Sequence, residues 1–108
     1  MSTIGKSLDA LTERIVARRG AAADTSYTAK LLQSGRELCA KKLGEEGVEA
    51  ALAGALGQKD NLVAESADVF YHLAVLLEAN GLSFDDVAAE LDRRAGTSGI
   101  DEKASRQG

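Results

Sequence analysis

Five carboxylates fall into two short blocks, Glu45-Glu46-x-x-Glu49 and Glu65-x-x-Asp68, each inside a stretch with helical periodicity. At 100° per residue, Glu45, Glu46 and Glu49 span an arc of about 100°, with Lys41 and Lys42 one turn earlier on or beside it. Glu65 and Asp68 lie about 60° apart, with His72 between them. The second block sits in "LVAESADVFYHLAVLLEAN", where Leu62, Val63, Ala67, Val69, Phe70, Leu73, Ala74, Leu76 and Leu77 cover most of the circumference. A helix apolar nearly all round is buried nearly all round, and buried carboxylates are costly without a compensating cation or donor.

Two antiparallel helices joined through "GQKDN" would bring the blocks face to face. Carboxylates converging there repel and raise one another's pKa, and a divalent cation removes that penalty. Oxygen-only ligands favour a hard ion. Mg²⁺, held by carboxylates together with water and phosphate oxygens, fits best and Mn²⁺ is its substitute; zinc is disfavoured because Cys39 and His72 are the only softer ligands. A di-iron centre is excluded, since it needs two Glu-x-x-His motifs and Val69 stands three residues before the single histidine. The competing reading of "KKLGEEGVE" is a solvated face with ion pairs. Against it, the lysines precede the glutamates, the weaker order for helix pairs. Gly44 and Gly47 flank the acidic pair at a cost of up to about 1 kcal/mol each relative to alanine, which suits close packing or a ligand better than stability alone. His72 reads as a hydrogen-bonded structural histidine and Cys39 as a small buried residue.

The elements that must position these groups are all helical. The chain lacks proline, and Ala, Leu, Glu, Lys and Arg dominate long stretches. Ile4, Leu8, Leu11 and Ile15 form one stripe of a first helix, which Gly20 ends. A short helical piece is expected in "TAKLLQSG". A second long helix runs from about Arg36 to Leu56 and a third starts after Asp60 and stops at Gly81. The last begins at Ser83, which forms a capping-box pattern with Asp86 and presents Phe84, Val87, Ala88 and Leu91. Residues 96–108 read as an irregular or partly ordered tail. The expected fold is one all-α domain over 1–108, a bundle of four to five helices. Four helices barely enclose the third one, so a symmetric homodimer is expected to complete the bundle.

The bulk numbers narrow the partners. A chain of 108 residues with net charge −4 offers no field for duplex DNA or an anionic membrane as main partner. It leaves room for a small phosphorylated ligand. One cysteine excludes an internal disulfide and fits a reducing compartment. The N-terminus does not read as a signal peptide and no run is long enough to span a bilayer, so a soluble cytoplasmic domain is expected.

With both blocks in view, "EEGVE" followed by "ESAD" resembles the signature of the all-α nucleoside-triphosphate pyrophosphohydrolase (MazG-like) superfamily. "SYTAKLLQSG", "YHLAVLL" and "SGIDEKASR" narrow the resemblance to the phosphoribosyl-ATP pyrophosphohydrolases of histidine biosynthesis, over nearly the whole chain from Leu8 to Arg106. Gly47 departs from the family pattern, where alanine is expected. The resemblance implies Mg²⁺-dependent hydrolysis of the α–β phosphoanhydride of phosphoribosyl-ATP, giving phosphoribosyl-AMP and pyrophosphate. It implies Glu46, Glu49, Glu65 and Asp68 as metal ligands. Glu45 is expected to orient or deprotonate the water, although spacing does not separate it from Glu46. Lys41, Lys42, Arg93, Arg94, Lys103 and Arg106 are candidate phosphate contacts, and Tyr27 either stacks on the base or packs in the core. The next step of the pathway is expected on a separate cyclohydrolase chain.

Two other functions compete. A house-cleaning pyrophosphohydrolase of the same superfamily would share the acidic blocks but not need "SGIDEKASR". A non-catalytic helical dimerisation module would use the acidic stripe only to block wrong pairings.

Overall fold

The computed structural model describes residues 3–96 and 98–107. Six helices follow one another: α1 Ile4–Arg18, α2 Tyr27–Ser34, α3 Arg36–Ala55, α4 Lys59–Ala79, α5 Phe84–Arg94 and α6 Gly99–Gln107. The fold is all-α, with no strand among the described residues. None of these helices is long and apolar enough to cross a membrane.

The organising unit is the α3–α4 hairpin, the most extensive helix–helix contact in the chain. Its turn is short because Gly57 adopts φ +71°, a left-handed conformation that a side chain would strain. That geometry lets Gly57 N–H donate to the Gly54 carbonyl and Gln58 N–H to the Ala53 carbonyl, closing the last turn of α3 as a Schellman cap. Gly81 (φ +73°) ends α4 in the same way, with Leu82 N–H donating to the Leu77 carbonyl.

Packing divides the hairpin into a sealed base and a bare tip. At the base, α1 and α2 lie across the start of α3 and the second half of α4. Ile15, Leu31, Cys39, Ala74 and Val75 are buried together there, with Leu11, Leu38, Tyr71 and Phe84 against them. The Cys39 thiol donates to the Leu31 carbonyl at 3.3 Å, and burial pushes its pKa up. Arg19 clamps the C-terminal ends of α1 and α4 by pairing with both the Glu78 carboxylate and its backbone carbonyl. At the tip, Val48, Leu52 and Leu56 stand one turn apart and exposed on α3, and Val63 of α4 is 71 % exposed. The expectation that α4 is covered all round therefore holds for its second half only, within one chain.

Local signals explain most boundaries. Ser26 Oγ accepts from Ala29 N–H and starts α2. Ser83 and Asp86 form the expected capping box of α5. Two expectations are corrected. The bundle has six described helices rather than four to five, and 96–108 is not an irregular tail, since Gly99–Gln107 is helix; Thr97 and Gly108 lie outside the described residues. The physical cause is a cap, with Ser98 Oγ accepting from Asp101 N–H at 3.0 Å.

Of the two causes expected for the glycines beside the acidic pair, close packing within the chain is not one. A Cβ built on Gly44 or Gly47 meets nothing within 4 Å, so close packing inside the chain does not demand either glycine. Gly47→Ala is expected to stabilise the fold by roughly 0.5–1 kcal/mol through backbone entropy and helix propensity. A thermal melt followed by circular dichroism reads this as a midpoint several degrees higher. An unchanged or lower midpoint would show that something outside this chain's own packing needs the glycine.

Candidate active site

The hairpin places the acidic blocks by register. Glu49 lies eight residues before Gly57 and Glu65 eight after it; Glu46 and Asp68 stand eleven residues to either side. Equal arms rising at 1.5 Å per residue bring each pair level across the helix–helix contact. Carboxylate oxygens of Glu46, Glu49 and Glu65 indeed all fall within 4.8 Å of one another.

Their electrostatic environment is unfavourable without a counter-charge. The Oε2 atoms of Glu46 and Glu65 are buried and find no hydrogen-bond partner among the described residues. Burial first, then Glu49 and Glu46, pushes Glu65 up to about 7. Burial, with Glu49 close by, raises Glu46 as well; Asp68 adds to that repulsion. Desolvated like charges hold a proton more tightly than water-exposed ones do. Two orphaned oxygens among converging carboxylates are what a hard divalent cation relieves, so the donor set fits Mg²⁺ or Mn²⁺.

The remaining candidates separate clearly. Asp68 is exposed at the edge of the cluster. Glu45 is not brought into it; its Oε1 lies 3.8 Å from Lys42 Nζ on the outer face of α3. Lys41 is exposed nearby. Arg93 and Arg94 both grip Glu90, with bonds of 2.7–2.9 Å, and lower its pKa to about 2. Their helix packs on α1 rather than against the acidic block. Lys103 and Arg106 are exposed on α6.

Beyond Asp68 the site turns aromatic. His72 is buried, and its Nδ1 lies 2.9 Å from the Asp68 carbonyl. A carbonyl only accepts, so Nδ1 carries the proton and, in the neutral ring, Nε2 accepts from the Tyr27 hydroxyl at 3.4 Å. Tyr27 is half exposed and stacks on Tyr71 with ring centroids 6.3 Å apart. Tyr71 Oη is hydrogen-bonded to Thr28 Oγ1. Sequence reasoning missed Tyr71 and Arg14, which line a cavity together with Asp68. Tyr71 had a usable signal, standing one turn after Asp68; Arg14 had none beyond its place at the edge of an apolar stripe.

Fold and site together define an all-α protein with a candidate carboxylate cation site between antiparallel helices. The model of the family described as phosphoribosyl-ATP pyrophosphohydrolase matches residues 8–95. A protein named phosphoribosyl-ATP pyrophosphatase from Rhodobacter capsulatus is 55 % identical over 100 residues, 93 % of this chain and 97 % of that protein. One of the same name from Paracoccus denitrificans is 53 % identical over 100 residues, 93 % of each chain. Another, from Methylobacterium radiotolerans, is 55 % identical over 97 residues, 90 % of this chain and 91 % of that protein. The chain belongs to the phosphoribosyl-ATP pyrophosphohydrolase family.

The raised Glu65 carboxyl has a consequence for stability. Below about pH 4.5 it is neutral whether the chain is folded or not; as pH rises toward about 7 the unfolded chain ionises first, so the folded state loses ground across that window. Metal-free protein should accordingly show a melting temperature that falls between those limits. Glu65→Gln should flatten the fall, and adding Mg²⁺ should restore stability at neutral pH. A melting temperature independent of pH and of Mg²⁺ would mean that the carboxylates do not converge in solution.

Proposed function

We propose that this chain hydrolyses the α–β phosphoanhydride of phosphoribosyl-ATP, yielding phosphoribosyl-AMP and pyrophosphate in an early step of histidine biosynthesis. The reading rests chiefly on the Glu46–Glu49–Glu65 cluster, standing in a chain more than half identical to relatives that bear this activity in their name. In this reading Glu46, Glu49, Glu65 and Asp68 hold Mg²⁺, or Mn²⁺ in its place. When bound, the cation supplies charge neutralisation for the phosphate chain and acidifies a coordinated water.

The chain's own residues do the rest. Glu45 stands next to the cluster but outside it, which leaves its carboxylate uncommitted to the cation and able to orient the attacking water or take its proton. The water oxygen then bonds to phosphorus, the bridging bond breaks, and pyrophosphate departs with the electron pair. Lys41 and Lys42 on the same face, and Lys103 and Arg106 on α6, are the cations we assign to the departing phosphates. Tyr27 is assigned to the nucleotide through its half-exposed ring. For Arg93 and Arg94 this role requires release from Glu90.

The bare tip supports a homodimer. Val48, Leu52 and Leu56 with Val63 make a continuous apolar surface that a second copy of the chain would cover. A cytoplasmic setting suits a lone buried thiol and the histidine pathway. In this reading a separate cyclohydrolase chain takes the product.

Pyrophosphate release from phosphoribosyl-ATP, dUTP and dCTP, with and without chelator, tests the activity. Phosphoribosyl-ATP alone should turn over well, and chelation should stop it. Glu49→Gln and Asp68→Asn should each lower the rate at least about 100-fold, the scale of lost electrostatic assistance to phosphoryl transfer. Full activity in both variants would refute the ligand assignment. For the assembly, Leu52→Glu should halve the mass measured by light scattering; an unchanged mass would remove this face from the interface.

A further inference from the structure

Burial along the stripe of α1 falls steadily toward its N-terminus. Ile15 is buried, Leu11 and Leu8 are half-buried and Ile4 is exposed. Where the stripe loosens, a cavity of about 440 Å³ opens between α1 and α4. Its walls include Leu8, Leu11 and Arg14 on one side, and Asp68, Phe70 and Tyr71 on the other. That volume is in the range of small-molecule sites.

Three observations give the cavity a direction and a chemistry. First, Asp68 lines it while Glu65, one turn earlier on the same helix, does not, so the cavity begins where the carboxylate cluster ends. Second, apart from Ser7, Arg14 and Asp68 its wall is apolar or aromatic, and the bond from Thr28 fixes the Tyr71 ring in place. Third, Arg14 is the one cationic side chain in the wall, and no hydrogen bond or ion pair engages it among the described residues. A guanidinium left without a partner in the wall of a largely apolar cavity is suited to a phosphate dianion, which it can grip through two parallel N–H donors.

This inference rests on the phosphoribosyl-ATP reading above. That substrate differs from ATP by a second sugar phosphate carried on the base, a dianion remote from the triphosphate. Placing the triphosphate at the carboxylates, as the proposed function does, leaves the cavity beyond Asp68 for the base and its second sugar. We propose that the α1–α4 cavity is the subsite for this phosphoribosyl arm, and that Arg14 is the residue that distinguishes phosphoribosyl-ATP from ATP. Leu8, Leu11 and the Tyr71 ring cover the base, and Arg14 meets the terminal phosphate.

Phosphoribosyl-AMP and AMP differ by that arm alone, so calorimetric titration of each into the full chain with Mg²⁺ isolates it. Wild type should bind phosphoribosyl-AMP at least about tenfold more tightly than AMP, the scale of one charge-assisted contact. Arg14→Gln should shrink the preference to within about twofold while leaving AMP affinity and the thermal midpoint unchanged, and Arg14→Lys should keep part of it. In turnover, Arg14→Gln should raise KM for phosphoribosyl-ATP about tenfold and hold kcat within about threefold. A Gln variant that keeps the wild-type preference, or loses affinity equally for both ligands, overturns the proposal. So does a wild type that binds both nucleotides equally. Failure of wild type to release pyrophosphate from phosphoribosyl-ATP would instead strike the activity reading, and the binding comparison would still judge the cavity.

Discussion

The structure depends on three glutamates facing one another across a helical hairpin, with one carboxylate oxygen of each of two of them shut off from water. Isolated, such an arrangement is a cost: like charges in a poor dielectric repel, and oxygens without donors lose their hydration. It persists because neither helix can turn away without moving its apolar residues as well. Cys39 and Ala53 are buried from the inner face of α3, and His72, Ala74 and Val75 from α4. The same rotation that buries them points Glu46, Glu49 and Glu65 inward. Packing energy at the base therefore holds electrostatic repulsion in the middle of the hairpin, and the free energy so stored is available to whatever cation relieves it.

This explains why stability and chemistry are spatially separated. The base is closed by α1 and α2, by the Arg19–Glu78 clamp and by the Thr28–Tyr71 and Tyr27–His72 bonds. The tip has little of this. Ala53 is its one buried residue, and Gly54 lets Leu62 approach to 3.6 Å of where a Cβ would stand. The acidic cluster sits at the boundary, packed on one side and open on the other. A cluster moved toward the core would be better ordered but closed to solvent.

Much of this was legible because the acidic blocks and apolar residues obey one period. A hairpin with equal arms is implied as soon as Gly57 is read as a stop, and the facing of Glu49 with Glu65 follows. The identity of the outward carboxylate was not legible. On a helical wheel Glu49 falls between Glu45 and Glu46, about 40° from one and about 60° from the other, so the spacing within α3 singles out neither and only the side on which α4 packs decides. That side is Glu46's. Two other features were readable but overlooked. Glu90 precedes Arg93 and Arg94 at three and four residues, the favourable order for helix pairs, and they pair so. Ser98 stands three residues before Asp101, a cap that starts α6. The Tyr27–His72 and Tyr71–Thr28 contacts were not readable, since each joins residues more than forty apart.

The looseness of α1 belongs to the same logic. A stripe of Ile4, Leu8, Leu11 and Ile15 is spaced to seal completely against a neighbour, yet only Ile15 does. The missing contact follows from what lies opposite. Opposite Leu11 and Leu8 the face of α4 carries Asp68 and Phe70 beside Ala67, and the Asp68 carboxyl group cannot be covered without a desolvation penalty. The helix therefore stays partly lifted, giving up apolar burial that a sequence without the acidic block would have kept. Enzymes commonly sit below their attainable stability where a site needs an opening. Here Asp68 lines the opening, so sealing it would bury a carboxyl group one turn from Glu65.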